Sequence, residues 1–235
     1  MVKTAAIGIM CKAPQPGRTK TRLGAEIGAA GAAKLSACFL RDVAAAIESV
    51  PSRLGRKGYA VYAPAGTESD LRQLIPPSFG LLLQADAEFG NVLHGAMHDL
   101  LAAAYDCVVL VNGDSPTLPP SLLVETINTL RQAGDRMVLG PASDGGYYLV
   151  GLKHLRRRLF EEIDWGTGVV AAQTLERAKE IGLDSVVLPE WYDVDDAETL
   201  RWLQDELAGR SDRFRHGGAA AATRAYLAEM AKVAS

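Results

Sequence analysis

The stretch Val108–Pro116, which reads VVLVNGDSP, decides the fold class of this chain. Its first four residues are apolar and mostly β-branched, as is typical of a strand buried on both faces of a parallel sheet. Asn112, Gly113 and Asp114 end the run, and Pro116 cannot continue a strand ladder. Asp114 therefore stands at the carboxyl end of a central strand, where open α/β sheets bind ligands. The alternative is that Asp114 only caps a turn, since Asn, Gly and Asp are ordinary turn residues.

Strands and helices alternate along the chain on both sides of this stretch. Apolar runs predict further strands at 5–10, 59–63, 81–84, 137–140, 147–150 and 185–188, and helical spacing predicts helices at about 29–49, near 70, at 93–104, 118–132, 154–160, 169–181 and 198–207. Such alternation predicts a three-layer α/β fold, with a mostly parallel sheet flanked by helices. We expect residues 1–208 to form one domain, with residues 209–235 as a linker and C-terminal helix packed on that domain.

The composition is that of an ordinary globular protein. The 235 residues are 48% hydrophobic with a formal net charge of −3, so no global charge favours nucleic acid or an acidic membrane surface as a partner. The three cysteines form no CxxC pair, which argues against a disulfide framework or zinc site and favours the reducing cytoplasm. No apolar run approaches the roughly 20 residues of a membrane helix, and no signal-peptide pattern is present. We expect a cytoplasmic protein; the sequence carries no signal for its oligomeric state.

A basic loop follows the first predicted strand. Residues 11–22 contain two prolines, a glycine and no acidic residue, and they carry the four cations Lys12, Arg18, Lys20 and Arg22. Crowded cations repel one another unless an anion compensates them, and a phosphate about 4 Å from one cation gains roughly 4 kcal/mol at an effective dielectric constant near 20. We therefore predict that this loop, including Pro16 and Gly17, binds a pyrophosphate. The alternative is a solvated basic loop. The spacing does not match a P-loop, and the chain has no GxGxxG motif.

A second group of carboxylates precedes the helix predicted at 198–207. Asp193 and Asp195 project to one face if the segment is extended, although Asp195 or Asp196 could instead cap the helix, and both roles are compatible. Because the carboxyl ends of parallel strands meet at one edge of a sheet, these acids, Asp114 and the basic loop are expected to converge. Carboxylates beside phosphate-binding cations predict a Mg²⁺ or Mn²⁺ site. There the metal and Lys20 or Arg22 would neutralise charge on a nucleoside-diphosphate leaving group.

Four motifs resemble those of a glycosyltransferase-like family called DUF2064, whose members are also named radical-SAM/selenodomain-associated transferase 1. They are PQPGRTKTRL at 14–23, GDSP at 113–116, DGGYYLVG at 144–151 and YDVD at 192–195, and the resemblance covers residues 3–207. The family is similar to the nucleotide-diphospho-sugar transferases with the GT-A fold, and more distantly to the 2-phospho-lactate guanylyltransferases. The resemblance therefore implies a GT-A-like fold and a nucleotide or nucleotide-sugar substrate.

The resemblance also implies roles for individual residues. The nucleotide phosphates would lie in the basic loop and beside Gly113, Asp114 would bind the metal, and Asp195 with Asp193 would supply the second metal-binding acid. Asp144 would lie on the acceptor side as a candidate general base, with Lys20 as the second candidate catalytic residue.

One segment departs from the family pattern. Members often carry Asp-Leu-Gly-x-Arg-Met after the third strand, whereas residues 88–93 read EFGNVL. The arginine is missing and the acid is a glutamate, which implies a different donor or acceptor, or reduced activity.

The leading hypothesis is a metal-dependent, glycosyltransferase-like enzyme that uses a nucleotide-diphospho-sugar donor. The first alternative is a nucleotidyltransferase similar to 2-phospho-lactate guanylyltransferase, which would join a nucleoside triphosphate to a phosphorylated or carboxylated acceptor. The paired acids Asp114 and Asp195 lean slightly toward this alternative. Two others are a nucleotide-binding protein without catalysis and an enzyme with Cys11 as nucleophile.

Overall fold

The computed structural model describes residues 3–234, and side chains up to residue 232. Residues 1 and 2 of the expected domain and residue 235 of the expected C-terminal segment lie outside this range. The strands are β1 Ala5–Lys12, β2 Arg56–Ala63, β3 Gly80–Leu83, β4 Cys107–Asn112, β5 Arg136–Pro141, β6 Tyr147–Leu152 and β7 Asp184–Val187. The α-helices are α1 Thr21–Ile27, α2 Ala29–Ser49, α3 Glu68–Arg72, α4 Phe89–Ala102, α5 Pro120–Leu130, α6 Val170–Glu180, α7 Ala197–Leu207 and α8 Ala221–Ala234, with 3₁₀ turns at Ser52–Leu54 and Arg157–Phe160.

Within residues 3–234 the seven strands form one sheet in the order β3-β2-β1-β4-β6-β5-β7. β1 lies parallel to both β2 and β4, β2 is parallel to β3, and β5 is parallel to β7. β6 is antiparallel to both of its neighbours. The predicted α/β fold with a mostly parallel sheet is confirmed, and the loops that follow β1, β4 and β7 emerge at the same edge.

The central strands are buried on both faces, because helices cover each side of the sheet. Val109 of β4 packs in one core with Leu35 and Phe39 of α2, whereas its neighbour Leu110 packs in a second core with Met97 of α4. The side-chain alternation of a strand sends successive residues to opposite faces. This arrangement is the reason that β4 carries an unbroken apolar sequence.

The structure differs from the predicted elements at two places, an unpredicted helix and a predicted helix that is shorter. The segment that begins with Thr21 forms the separate helix α1, in which only Leu23 is buried, so it carried almost no periodic signal. Gly28, with φ near +79°, separates α1 from α2. The helix expected at 154–160 is only the 3₁₀ turn Arg157–Phe160.

The C-terminal segment lies against the rest of the chain. Both carboxylate oxygens of Asp42 in α2 accept the backbone N–H groups of Ala222 and Thr223 at 2.9 Å, which satisfies otherwise unpaired donors at the start of α8. Phe214, in the connection between α7 and α8, is buried. The boundary at residue 208 stays a prediction. Among the described residues, no helix is both long enough and apolar enough to cross a membrane.

Candidate functional site

Backbone hydrogen bonds hold together the segments that follow β1, β4 and β7. The N–H of Gly113 donates to the carbonyl of Met10 at 3.1 Å, and the N–H of Val194 donates to the carbonyl of Asp114 at 3.0 Å. The hydroxyl of Ser115 donates to the carbonyl of Tyr192 at 2.7 Å. The convergence expected from parallel strand ends is therefore present in the fold.

A cleft of about 570 Å³ lies at this edge of the sheet, and we call it the first cleft. Its lining includes all four cations of the basic loop, Lys12, Arg18, Lys20 and Arg22, together with Gly113, Asp114 and Asp195. Pro16 and Gly17 form an exposed turn before α1 and are not among the lining residues. The cleft thus contains both the cations and two of the three acids that sequence reasoning assigned to nucleotide and metal.

Lys20 lies between the two carboxylates of the first cleft. Its Nζ is 3.0 Å from Oδ2 of Asp114 and also donates to Oδ1 of Asp195, while its side chain is only 4% exposed. Burial alone would lower the pKa of this amine, but the two carboxylates raise it above its usual value. Lys20 adopts the left-handed conformation, with φ near 53°, which costs a non-glycine residue about 1–2 kcal/mol. Its ion pairs offset that cost.

The environments of Asp114 and Asp193 raise the pKa values of both carboxyl groups. Loss of solvation raises the pKa of Asp114, with Asp195 adding to the effect and Lys20 opposing it. Loss of solvation, together with the charges of Asp195 and Asp144, raises the pKa of Asp193 to about 7. Four acids therefore lie in this part of the molecule together with the four cations of the basic loop.

Asp196 caps α7. Its Oδ1 accepts the N–H of Thr199 at 2.9 Å, and the Thr199 hydroxyl accepts the N–H of Asp196 in return. The hydrogen bonds that the backbone N–H and the hydroxyl of Thr199 donate to the carboxylate lower the pKa of Asp196. The cap expected in this segment is thus made by Asp196, which leaves the side chain of Asp195 in the cleft.

A second cleft of about 480 Å³ adjoins the first, and Arg22, Phe89, Asn112 and Asp195 line both. The second cleft is also lined by Asp144, Asp193, Tyr147 and Trp165. Asp144 is exposed in a turn in which its Oδ1 accepts the N–H of Gly146 at 2.8 Å. Tyr148, the neighbour of Tyr147, points the other way into the core.

Sequence reasoning missed the aromatic side of the second cleft and the amide at its junction with the first. Phe89 is 47% exposed, and its ring meets the ring of Trp165 edge-on at a centroid distance of 5.1 Å. The amide oxygen of Asn112 is buried, and no hydrogen bond to it occurs within residues 3–234. An available signal for Asn112 was its position at the end of a buried strand, two residues before Asp114. Val92, at the family's arginine position, is buried and lines neither cleft.

The side chains of the first cleft fit a divalent metal that a substrate helps to bind. Among the described residues, no group of three or more His, Cys, Asp or Glu side chains forms a ready-made metal site. Asp114 and Asp195 offer two partly exposed carboxylates, and Asn112, whose amide oxygen is buried and unpartnered, also lines the cleft. Mg²⁺ is commonly held by one or two carboxylates together with substrate phosphates. Two hard oxygen donors beside a basic loop match that pattern.

The sheet order and the position of these clefts define the chain as a member of the GT-A-like, nucleotidyltransferase fold class. It belongs to the DUF2064 family, described as an uncharacterized protein conserved in bacteria, whose family model matches residues 46–167. A comparison with curated proteins finds no match to the sequence.

Solved structures share this fold. A presumed nucleotide-diphospho-sugar transferase from Desulfovibrio desulfuricans G20 is 28% identical, with 97% of each chain covered and a TM-score of 0.82. CMP:2-keto-3-deoxy-manno-octonic acid synthetase, solved with CTP, is 12% identical, with 89% of this chain and 100% of that chain covered and a TM-score of 0.58. 4-Diphosphocytidyl-2C-methyl-D-erythritol synthase is 12% identical, with 87% of this chain and 97% of that chain covered and a TM-score of 0.57.

Proposed function

We propose that this protein is a metal-dependent transferase that takes a nucleotide-diphospho-sugar as donor. The observation that carries the proposal is the pairing of Asp114 and Asp195 around Lys20, inside a cleft lined by three further cations. A bound diphosphate would neutralise the positive charge of the loop cations. A divalent ion supplies the positive charge that the carboxylates need once the lysine turns to the phosphates. The similarity to the Desulfovibrio desulfuricans G20 structure supports the same class of substrate.

We assign the metal to Asp114 and Asp195, with the diphosphate completing its coordination. A metal ion in this position would neutralise charge that develops on the nucleoside-diphosphate leaving group. In the free protein the Lys20 ammonium compensates the two carboxylates. On substrate binding, Lys20 exchanges these partners for a phosphate, and Arg22, which lines both clefts, holds the sugar end of the diphosphate.

The second cleft receives the sugar and the acceptor. Asp144 lies there on an exposed turn, and we keep it as the candidate general base for the acceptor hydroxyl. Asp193 lines the second cleft and not the first. Its proposed role as a metal ligand therefore depends on the metal lying near the junction of the two clefts.

Binding of a nucleotide-sugar with and without Mn²⁺ tests this function. A ligand that binds only the folded state raises the thermal midpoint, so a panel of nucleoside-diphosphate sugars should produce a Mn²⁺-dependent shift for at least one member. Asp114→Asn should abolish the shift, whereas Asp99→Asn, an exposed acid on α4, should leave it unchanged. The proposal is wrong if no nucleotide-sugar gives a Mn²⁺-dependent shift.

Nucleotidyl transfer is the second candidate, and the two paired carboxylates favour it. Such an enzyme would be stabilised by a nucleoside triphosphate with Mn²⁺ and would release pyrophosphate when the acceptor is added. Stabilisation by a nucleoside-diphosphate sugar without any product formed from an acceptor panel would instead indicate a binding protein.

A further inference from the structure

The second cleft is lined by two chemically different sets of side chains. One set is the carboxylates of Asp144, Asp193 and Asp195, and the other is the aromatic rings of Phe89, Tyr147 and Trp165. The rings are in edge-on contact, with centroid distances of 5.1 Å from Trp165 to Phe89 and 6.3 Å from Trp165 to Tyr147. Through these contacts the rings form a continuous aromatic wall in the cleft.

Among the described residues that line the second cleft, Arg22 is the only cation. Arg22 also lines the first cleft, where the proposed diphosphate would engage it. A divalent ion held by Asp114 and Asp195 would be balanced by those acids and by the phosphates. Among the described residues, Asp144 and Asp193 then have no cation of their own in the second cleft, so a phosphate or carboxylate beside them would meet carboxylates alone and be repelled.

The aromatic wall is partly exposed and can pack against an apolar surface of a ligand. Phe89 is 47% exposed, although a large apolar side chain is usually buried. It lies where the two clefts join, so a ligand that spans both would cover it. An ionised carboxylate only accepts hydrogen bonds, so the acids of this cleft suit hydroxyl groups, which donate them.

We infer that the second cleft binds an uncharged, polyhydroxylated ring compound and discriminates against phosphorylated or carboxylated acceptors. The C–H face of such a ring packs on Phe89 and Trp165, while its hydroxyls donate to Asp144 and Asp193. This inference rests on the proposed function for the assignment of the first cleft to the nucleotide. It separates that function from the nucleotidyltransferase alternative, whose acceptor would be anionic.

Saturation-transfer NMR with matched probes tests the inference. Methyl glucoside, methyl mannoside and myo-inositol serve as neutral rings, and glucose 6-phosphate and glucuronate serve as their anionic counterparts. We expect at least one neutral ring to bind, with each anionic probe weaker by about tenfold or more, which corresponds to about 1.4 kcal/mol. Phe89→Ala should remove this binding, whereas Val187→Ala, an exposed apolar residue on the edge strand β7, should not.

A variant that lacks the carboxylates of Asp144 and Asp193 provides the complementary test. The double variant Asp144→Asn, Asp193→Asn should bind glucose 6-phosphate more tightly than the unmodified protein does, because the repulsion is gone. Tighter binding of the anionic probes by the unmodified protein, or no binding of any neutral ring, would overturn the inference. Mn²⁺-dependent stabilisation by a nucleotide-sugar is measured on the same samples. If this stabilisation persists but no neutral ring binds, only this inference is wrong. If the stabilisation is absent, the proposed function is wrong.

Discussion

Replacement of Lys20 by methionine removes the ammonium that lies 3.0 Å from Asp114 and also contacts Asp195. A metal ion that enters between these carboxylates must first displace the ammonium, so the lost contact weakens metal binding in the unmodified protein. A hydrogen bond to a charged group contributes roughly 1.5–3 kcal/mol. The two acid side chains are 39% and 46% exposed, so water screens the interaction and the lower value applies. Lys20→Met should therefore tighten Mn²⁺ binding in the absence of nucleotide by about 1.5 kcal/mol, or roughly tenfold.

The same substitution should act in the opposite direction on the diphosphate. A nucleoside diphosphate loses one cationic partner, so its affinity in the presence of saturating Mn²⁺ should fall by about tenfold or more. Isothermal titration calorimetry measures both constants. Lys12→Met is the matched control: Lys12 lines the same cleft, and among the described residues it forms no salt bridge. It should weaken diphosphate binding and tighten Mn²⁺ binding much less than Lys20→Met does, because Lys12 acts on Asp114 only at longer range. If Lys20→Met folds normally and binds Mn²⁺ no more tightly, the exchange of partners is refuted.

Three other substitutions or reactions address neighbouring parts of the structure. Asp196→Ala removes the cap of α7 and should lower the free energy of unfolding by about 0.5–2 kcal/mol in urea titrations, without changing Mn²⁺ affinity; a parallel loss of metal binding would contradict the separate roles of Asp195 and Asp196. Burial raises the pKa of the Cys11 thiol to about 12, so a disulfide reagent at pH 8 should label Cys11 only after unfolding. Rapid labelling in the native state would support the alternative in which Cys11 is the nucleophile. Glu206→Ala leaves the hydroxyls of Thr117 and Tyr192 without their carboxylate partner and should cost about 1–3 kcal/mol for each unpaired group; a neutral result would show that these hydroxyls find other partners.

The sequence was sufficient to predict the sheet and the edge at which the candidate site lies. The apolar run of β4 indicated a strand buried on both faces, and parallel strands necessarily bring the segments after them to one edge. For this reason Asp114, Asp195 and the basic loop could be expected to meet. The functional roles given to them stay predictions.

The sequence could not show how the charges pair. Lys20 was a candidate catalytic residue, but its ion pair with Asp195 could not be predicted, because it joins residues 175 positions apart. The aromatic wall of the second cleft was hidden for the same reason, since Phe89 begins α4 and Trp165 lies in the turn before α6. Asn112 was treated as a turn residue, and only its buried, unpartnered amide oxygen distinguishes it.

Calorimetric titration of a nucleoside-diphosphate sugar, selected by the stabilisation panel, tests the central claim most directly. The claim is that cations and acids from three separate segments jointly bind a diphosphate through a divalent ion. We expect the unmodified protein to bind the ligand at least tenfold more tightly with Mn²⁺ than without it, and Asp114→Asn to lose that difference. Equal affinity with and without Mn²⁺, or an unchanged Mn²⁺ effect in Asp114→Asn, would contradict the claim.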